Sequence, residues 1–154
     1  MNYSLIVFDL DFTLWNAGGT WCDHTSPPYR KQNGHILDAD GSMIHLYPDS
    51  REILAELSRN YPLAVASRTH QPGWAKELMT LFNIRQYFRY LEIYPGSKTE
   101  HFKHLHAKTR IPFNEMLFFD DEMRNIHEVA RLNAETVLVD SGINSKTVKR
   151  YLNF

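Results

Sequence analysis

The sequence predicts an α/β fold on a parallel sheet, and three observations predict it. Apolar runs of strand length alternate with stretches of helical period. Several of these runs are apolar throughout, as strands covered on both faces are. Three of them end abruptly in polar groups: Asp9 and Asp11, Ser67, and Asp120 with Asp121. A chain of 154 residues has room for one core of ordinary size, so residues 1–154 read as a single domain.

Taken in order, the first strand is Leu5 to Phe8, four apolar residues that stop on Asp9. The second is "LAVAS" at 63–67, a weaker third is "YLEIY" at 90–94, the fourth is "MLFFD" at 116–120 and the fifth is "TVLVD" at 136–140. Helices are predicted near 50–60, 73–82, 98–108 and 122–133, with a further one starting at Ser145. Asp49 with Glu52, and Ser97 with Glu100, form capping-box patterns at two helix starts. Residues 16–46 break the alternation. They are rich in Gly, Pro and Asn, and "GHILDADGSMIHLY" places two short apolar segments about a turn, which predicts a β-hairpin flap. Ligands of open parallel sheets bind beyond the carboxyl ends of the strands, so a flap leaving the first strand there should overhang the site.

Composition excludes several classes of partner. With 17 basic residues against 18 acidic ones there is no basic field for nucleic acid or an anionic membrane. The start "MNYSLIVFD" lacks the charged and apolar regions of a signal peptide, and no apolar run approaches the roughly 18 residues of a membrane span, so the expected location is the cytoplasm. The single cysteine, Cys22, has no internal disulfide partner, in keeping with a reducing compartment. As a nucleophile for phosphate esters it would need an arginine a few residues later, where "CDHTSPP" has Pro28, so it reads as a packing residue. The oligomeric state is left open.

The polar strand ends carry the chemistry. Side chains at i and i+2 of an extended segment share a side, so Asp9 and Asp11 can converge while Leu10 turns away. Two carboxylates that close need a cation or a proton. Hard oxygen ligands of this kind suit Mg²⁺, with a third carboxylate from Asp120 or Asp121. Lys98, opening a helix, adds a fixed positive charge and free helix-end amides, both suited to a phosphoryl group.

"DLDFT", "VASRT", "GSK" and "FFDDEMRN" together resemble the four motifs of the haloacid dehalogenase (HAD) superfamily. More narrowly, "VFDLDFTLW", "ASRT", "EIYPGSK", "HFKHLHAKT" and "FFDDE" are similar to its magnesium-dependent, acid phosphatase-like branch. The resemblance implies a Rossmann-like sheet of order 5-4-1-2-3 without a full cap domain, and hydrolysis of phosphate monoesters through an aspartyl-phosphate. It implies Asp9 as nucleophile and Asp11 as general acid and base, with Ser67, Arg68 and Lys98 holding the phosphate. For Mg²⁺ it implies the Asp9 carboxylate, the Asp11 backbone carbonyl and Asp121, with Asn125 four residues beyond Asp121 completing the motif and Asp120 behind the ligands. The substrate class it leads one to expect is a small phosphorylated metabolite, such as a sugar phosphate, or a phosphoprotein carrying phosphotyrosine. The alternatives are a phosphate sensor or scaffold without turnover, and a phosphotransferase. A dehalogenase is disfavoured, since a halide leaves without the acid that Asp11 provides.

Other features are set aside. His101, His104 and His106 lack ligand spacing and read as a solvated helix face. "SGINSKT" lacks the second glycine of a nucleotide-binding loop. Trp15, Trp21, Tyr29, Tyr47 and Trp74 read equally as rings that close a small core or as a set some of which line the site entrance.

Overall fold

The computed structural model describes residues 2–154. Its centre is a parallel sheet of β1 (Leu5–Phe8), β6 (Leu63–Ser67), β7 (Tyr90–Ile93), β8 (Met116–Asp120) and β9 (Glu135–Leu138). The spatial order is β7-β6-β1-β8-β9. The expected numbering 5-4-1-2-3 becomes β9-β8-β1-β6-β7, because residues 15–46 contribute four short strands between β1 and β6.

Every residue of β1 is buried, and its alternation divides the core. Ile6 and Phe8 face a cluster that includes Leu54 and Leu57 of α1 (Ser50–Leu57), Leu78 and Met79 of α2 (Pro72–Leu81), and Val148 of α5 (Ser145–Val148). Leu5 and Val7 face the opposite cluster, with Phe102 and Leu105 of α3 (Lys98–Thr109) and Ile126 and Val129 of α4 (Met123–Ala130). The sheet is therefore the middle of three layers. Burying each Leu, Ile or Phe in this way contributes roughly 1.5–3 kcal/mol. Stacking of Phe8 on Phe119, with centroids 5.4 Å apart, fixes β1 against β8 just below the acidic strand ends.

The insertion is larger in strand count than a hairpin. β2 (Trp15–Asn16), β3 (Arg30–Gln32), β4 (His35–Leu37) and β5 (Met43–Leu46) form an antiparallel sheet of order β2-β5-β4-β3. The turn expected at Asp38 to Gly41 is present, its backbone N–H groups gathered on the Asp38 carboxylate. A second turn lies at Asn33 and Gly34, both at positive φ, the geometry that a two-residue hairpin requires. Ile36 and Ile44, paired across β4 and β5, are buried in the same apolar cluster as β1.

Of the two capping patterns, one supplies a side-chain cap. Ser97 Oγ accepts from the Glu100 N–H at 3.2 Å, capping α3. Asp49 instead accepts from the Ser145 N–H at 2.9 Å, pinning the start of α5 to the start of α1. Among the described residues no helix is long and apolar enough to cross a membrane.

Candidate active site

The carboxyl edge of the sheet is where the sequence places its polar residues, and the backbone explains how they converge. The Asp9 N–H donates to the Phe119 carbonyl at 3.0 Å, extending the β1–β8 ladder by one residue and fixing Asp9 at the edge. The chain then turns tightly: the N–H groups of Thr13, Leu14 and Trp15 all reach the Leu10 carbonyl, and Phe12 takes a positive φ of 61°. Leu10 is buried in the core while Asp9 and Asp11 both line a cavity of about 420 Å³. Leu10 thus turns away while Asp9 and Asp11 share one cavity. Ser67, Arg68, Lys98 and Asn125 line the same cavity.

Lys98 is fully buried at the start of α3. Its Nζ lies 3.0 Å from Asp9 Oδ1 and 3.3 Å from Asp120 Oδ2, and it also donates to the Ala66 carbonyl. Burial pulls its pKa down, but Asp9 and Asp120 outweigh that and raise it, so the ammonium stays charged. It is one cation among several acids. Oxygens of Asp9, Asp120 and Asp121 lie within 4.8 Å of one another. Burial pushes Asp9 up to about 7 against the pull of Lys98, with Asp121 adding repulsion. Burial and the Asp9 charge likewise raise Asp120 to about 7, and burial raises Asp121 to about 6. Three hard carboxylates short of positive charge are a donor set that fits a small divalent cation.

The two members of the Asp120 and Asp121 pair have different surroundings. Asp120 is fully buried, and its oxygens receive the Glu122 N–H at 2.8 Å, the Asn125 amide at 3.1 and 3.3 Å, and Lys98. Asp121 is half-buried and is approached by Thr13 Oγ1 at 3.4 Å, a hydroxyl that also lies 3.3 Å from Asp9 Oδ2. Asn125, expected to complete a motif with Asp121, gives its amide to Asp120 instead.

Asp11 stands outside the three-carboxylate group. Its Oδ1 accepts from the Trp15 indole at 2.7 Å and from the Cys22 N–H at 2.9 Å, leaving Oδ2 free of these donors. Burial raises its pKa to about 7, opposed by the Trp15 hydrogen bond and helped by the Asp9 charge. Cys22 thus serves the site through its backbone. Its thiol is buried 3.5 Å from Thr69 Oγ1, and burial pushes its pKa up, so it is inert.

The flap reaches the cavity differently from the expectation. Trp21, Asp23 and His24, in the turn between β2 and β3, line it, whereas β3, β4 and β5 contribute nothing to its walls. Trp21 is 46% exposed with its ring against the edge of Phe12, while Trp15 and Tyr29 are core residues. Tyr47 lies beside a second cavity with Asp121, and Trp74 packs on the core. The histidine reading needs correction at one position: His101 is buried, its Nε2 on the Tyr94 carbonyl at 2.9 Å, because Tyr94 folds over the first turns of α3. The contacts that Trp15, Thr13 and the Cys22 amide make with the aspartates have no sequence signature of their own. "DFTLW" carries two of these residues, but only the turn shows that their donors face the aspartates.

Solved structures share this fold. A variant HAD family enzyme from Bacteroides thetaiotaomicron, crystallised with magnesium and inorganic phosphate, aligns with a TM-score of 0.70 over 97% of this chain and 100% of that one, at 12% identity. The architecture is thus that of the HAD-like α/β class. The chain belongs to the acid phosphatase family, whose pattern it matches over residues 2–154. It is 44% identical over 151 residues to magnesium-dependent phosphatase 1 of Homo sapiens, covering 96% of this chain and 84% of that protein. A HAD-like hydrolase superfamily protein of Schizosaccharomyces pombe is 38% identical over 161 residues, covering 96% of this chain and 91% of its own length.

Proposed function

We propose that the protein is a Mg²⁺-dependent phosphatase that hydrolyses phosphate monoesters through a phosphoryl group carried on Asp9. The observation that carries this reading is the buried Lys98 ammonium 3.0 Å from Asp9, the one cation within a group of carboxylates that outnumber it and open onto a cavity. Family membership supports it, as does similarity to a magnesium-dependent phosphatase. The whole chain acts as one unit with residues 16–46 as its flap, a division supported by the apolar cluster that β1, β4 and β5 share.

Asp9 Oδ attacks phosphorus and the ester P–O bond breaks, while Asp11 protonates the departing oxygen. Water then attacks the Asp9 phosphoryl group, passes a proton to Asp11, and releases inorganic phosphate and the Asp9 carboxylate. Ser67, Arg68 and Lys98 hold the phosphoryl oxygens. The Asp9 carboxylate, the Asp11 carbonyl and Asp121 would hold Mg²⁺, which supplies charge neutralisation so that one anion can approach another. Asp120, whose oxygens are already occupied by protein donors, orients Lys98 and Asn125. The cavity volume suits a small phosphorylated metabolite, and the exposed Trp21 at its edge suits a sugar ring or a phosphotyrosine side chain. The proposed setting is the cytoplasm.

Hydrolysis of an aryl phosphate with Mg²⁺, with excess chelator and with Ca²⁺ tests the reading. Chelation should abolish activity, and Ca²⁺ should inhibit because its longer, looser coordination displaces the nucleophile. Full activity in chelator would sink the metal assignment, and phosphate binding without turnover would favour the sensor. A panel of phosphorylated sugars and phosphotyrosine peptides separates the substrate classes.

Trp15→Phe probes how Asp11 is held. An aromatic ring stays, smaller by the pyrrole portion, and the donor to Oδ1 goes, so an alkyl phosphate should lose about tenfold in kcat, the scale of one hydrogen bond to a charged group. An activated aryl phosphate should lose less. Equal losses on both substrates would mean that Trp15 acts only through packing.

A further inference from the structure

A ring of polar contacts runs through Arg68, Lys98 and Asn125 of the cavity lining and closes behind them, and one member has no part in the chemistry above. Glu128 of α4 accepts from the Lys98 backbone N–H through Oε2 at 3.0 Å. Both of its carboxylate oxygens lie 3.3 Å from Nη1 of Arg68. The same Nη1 donates to Asn125 Oδ1 at 3.0 Å, Asn125 donates to Asp120, and Asp120 meets Nζ of Lys98 at 3.3 Å. Lys98 thus begins and ends the ring. The contacts tie the segments that follow β6, β7 and β8 to one another across the carboxyl edge.

Two details point to a role. Glu128 and Ser97 together take the Lys98 and Glu100 N–H groups, so these two amides of α3 are not free for a phosphate. Arg68 is held through Nη1 alone, and a guanidinium carries five N–H donors, so Nε and Nη2 remain for the cavity that Arg68 lines. A guanidinium fixed before binding loses less rotamer freedom when an anion arrives. The Arg68 and Glu128 side chains are 28% and 27% exposed, shielded enough for the pair to persist.

We propose that Glu128 is a positioning residue for phosphate recognition, setting the Arg68 fork and the first residue of α3 before the ester binds. This rests on the phosphatase reading, in which Arg68 touches the phosphoryl group. Charge alone argues the other way, because deleting an acid beside an anion site should tighten anion binding. Weakened binding is therefore diagnostic of positioning.

The test is calorimetric titration of inorganic phosphate, with Mg²⁺ present, into the native protein, Arg68→Ala, Glu128→Ala, Glu128→Gln and the Arg68→Ala/Glu128→Ala double variant. Steady-state kinetics on an aryl phosphate accompany it. Glu128→Ala should weaken phosphate binding about tenfold, the scale of one lost charge-assisted contact, and should raise KM more than it lowers kcat. Glu128→Gln, which keeps an acceptor for the Lys98 N–H, should recover part of that loss. The double variant should bind within about twofold of Arg68→Ala, since Glu128 has nothing to position once the guanidinium is gone. Native or tighter affinity in Glu128→Gln, or additive losses in the double variant, would overturn the proposal; the Gln variant decides alone if the Ala variant does not fold. Native affinity in Arg68→Ala is a separate failure that removes Arg68 from the phosphate site, and the proposal with it.

Discussion

Asp9→Asn should abolish turnover and leave the fold at least as stable as before. Loss of the attacking oxygen anion removes the covalent route entirely, and elimination of a nucleophile costs on the order of 10⁵-fold or more. The stability half follows from the charge count. Asp9, Asp120 and Asp121 crowd within 4.8 Å of one another around a single buried ammonium, and burial already drives the Asp9 pKa to about 7. Neutral Asn at this position relieves repulsion with Asp121, while Lys98 keeps Asp120 at 3.3 Å. In chelator the variant should therefore melt no lower than the native protein, and with Mg²⁺ it should gain less, since one of the three proposed ligands is weakened. Thermal denaturation with and without metal reads both effects. A variant that melts well below the native protein in chelator would mean that Asp9 is chiefly a structural partner of Lys98.

Strands of the parallel sheet are legible because burial on both faces demands continuous apolar residues, as in "LIVF" and "MLFFD". Their ends are less so. The fifth strand stops at Leu138 rather than Asp140 because its partner β8 stops at Asp120, which pairs with Leu138. The helices expected to reach Asn60 and Asn133 end at Leu57 and Ala130, their last residues being turns. In the insertion, β3 reads "RKQ", exposed throughout, so no alternation betrays it even though Asn33 and Gly34 supply a strong turn signal.

At the site, local pairs are readable and distant ones are not. Asp9 with Asp11, and Ser67 with Arg68, announce themselves at the ends of strands. The contacts that orient them come from far along the chain: Cys22 N–H to Asp11 spans 11 residues, and Glu128 to Arg68 spans 60. Nothing in "EMRNIHEVA" distinguishes Glu128 from a solvated helix acid. Buried His101 is hidden for the same reason, because its partner is a backbone carbonyl seven residues away.

Asp11→Asn separates the two aspartates where loss of activity cannot. The nucleophile and the backbone carbonyl of residue 11 survive, and Asn retains an oxygen for the Trp15 indole and the Cys22 N–H, now 2.7 and 2.9 Å from Asp11 Oδ1. Only the proton relay disappears, a loss of about 10² to 10⁴ in rate for esters with poor leaving groups. An activated aryl phosphate departs with little protonation, so formation of the Asp9 phosphoryl group should outlast its hydrolysis, which still needs a base for water. Mixing the variant with such an ester should give a burst of one phenolate per protein, and intact-mass analysis after rapid quench should show one phosphoryl group. Peptide mapping should place it on Asp9. Trp15→Phe, which keeps the Asp11 carboxyl but loosens its hold, should show no such accumulation because the base is still present. A phosphoryl group on Ser67 or Cys22, or no burst with an ester that the native protein turns over quickly, would show that the covalent route through Asp9 is wrong.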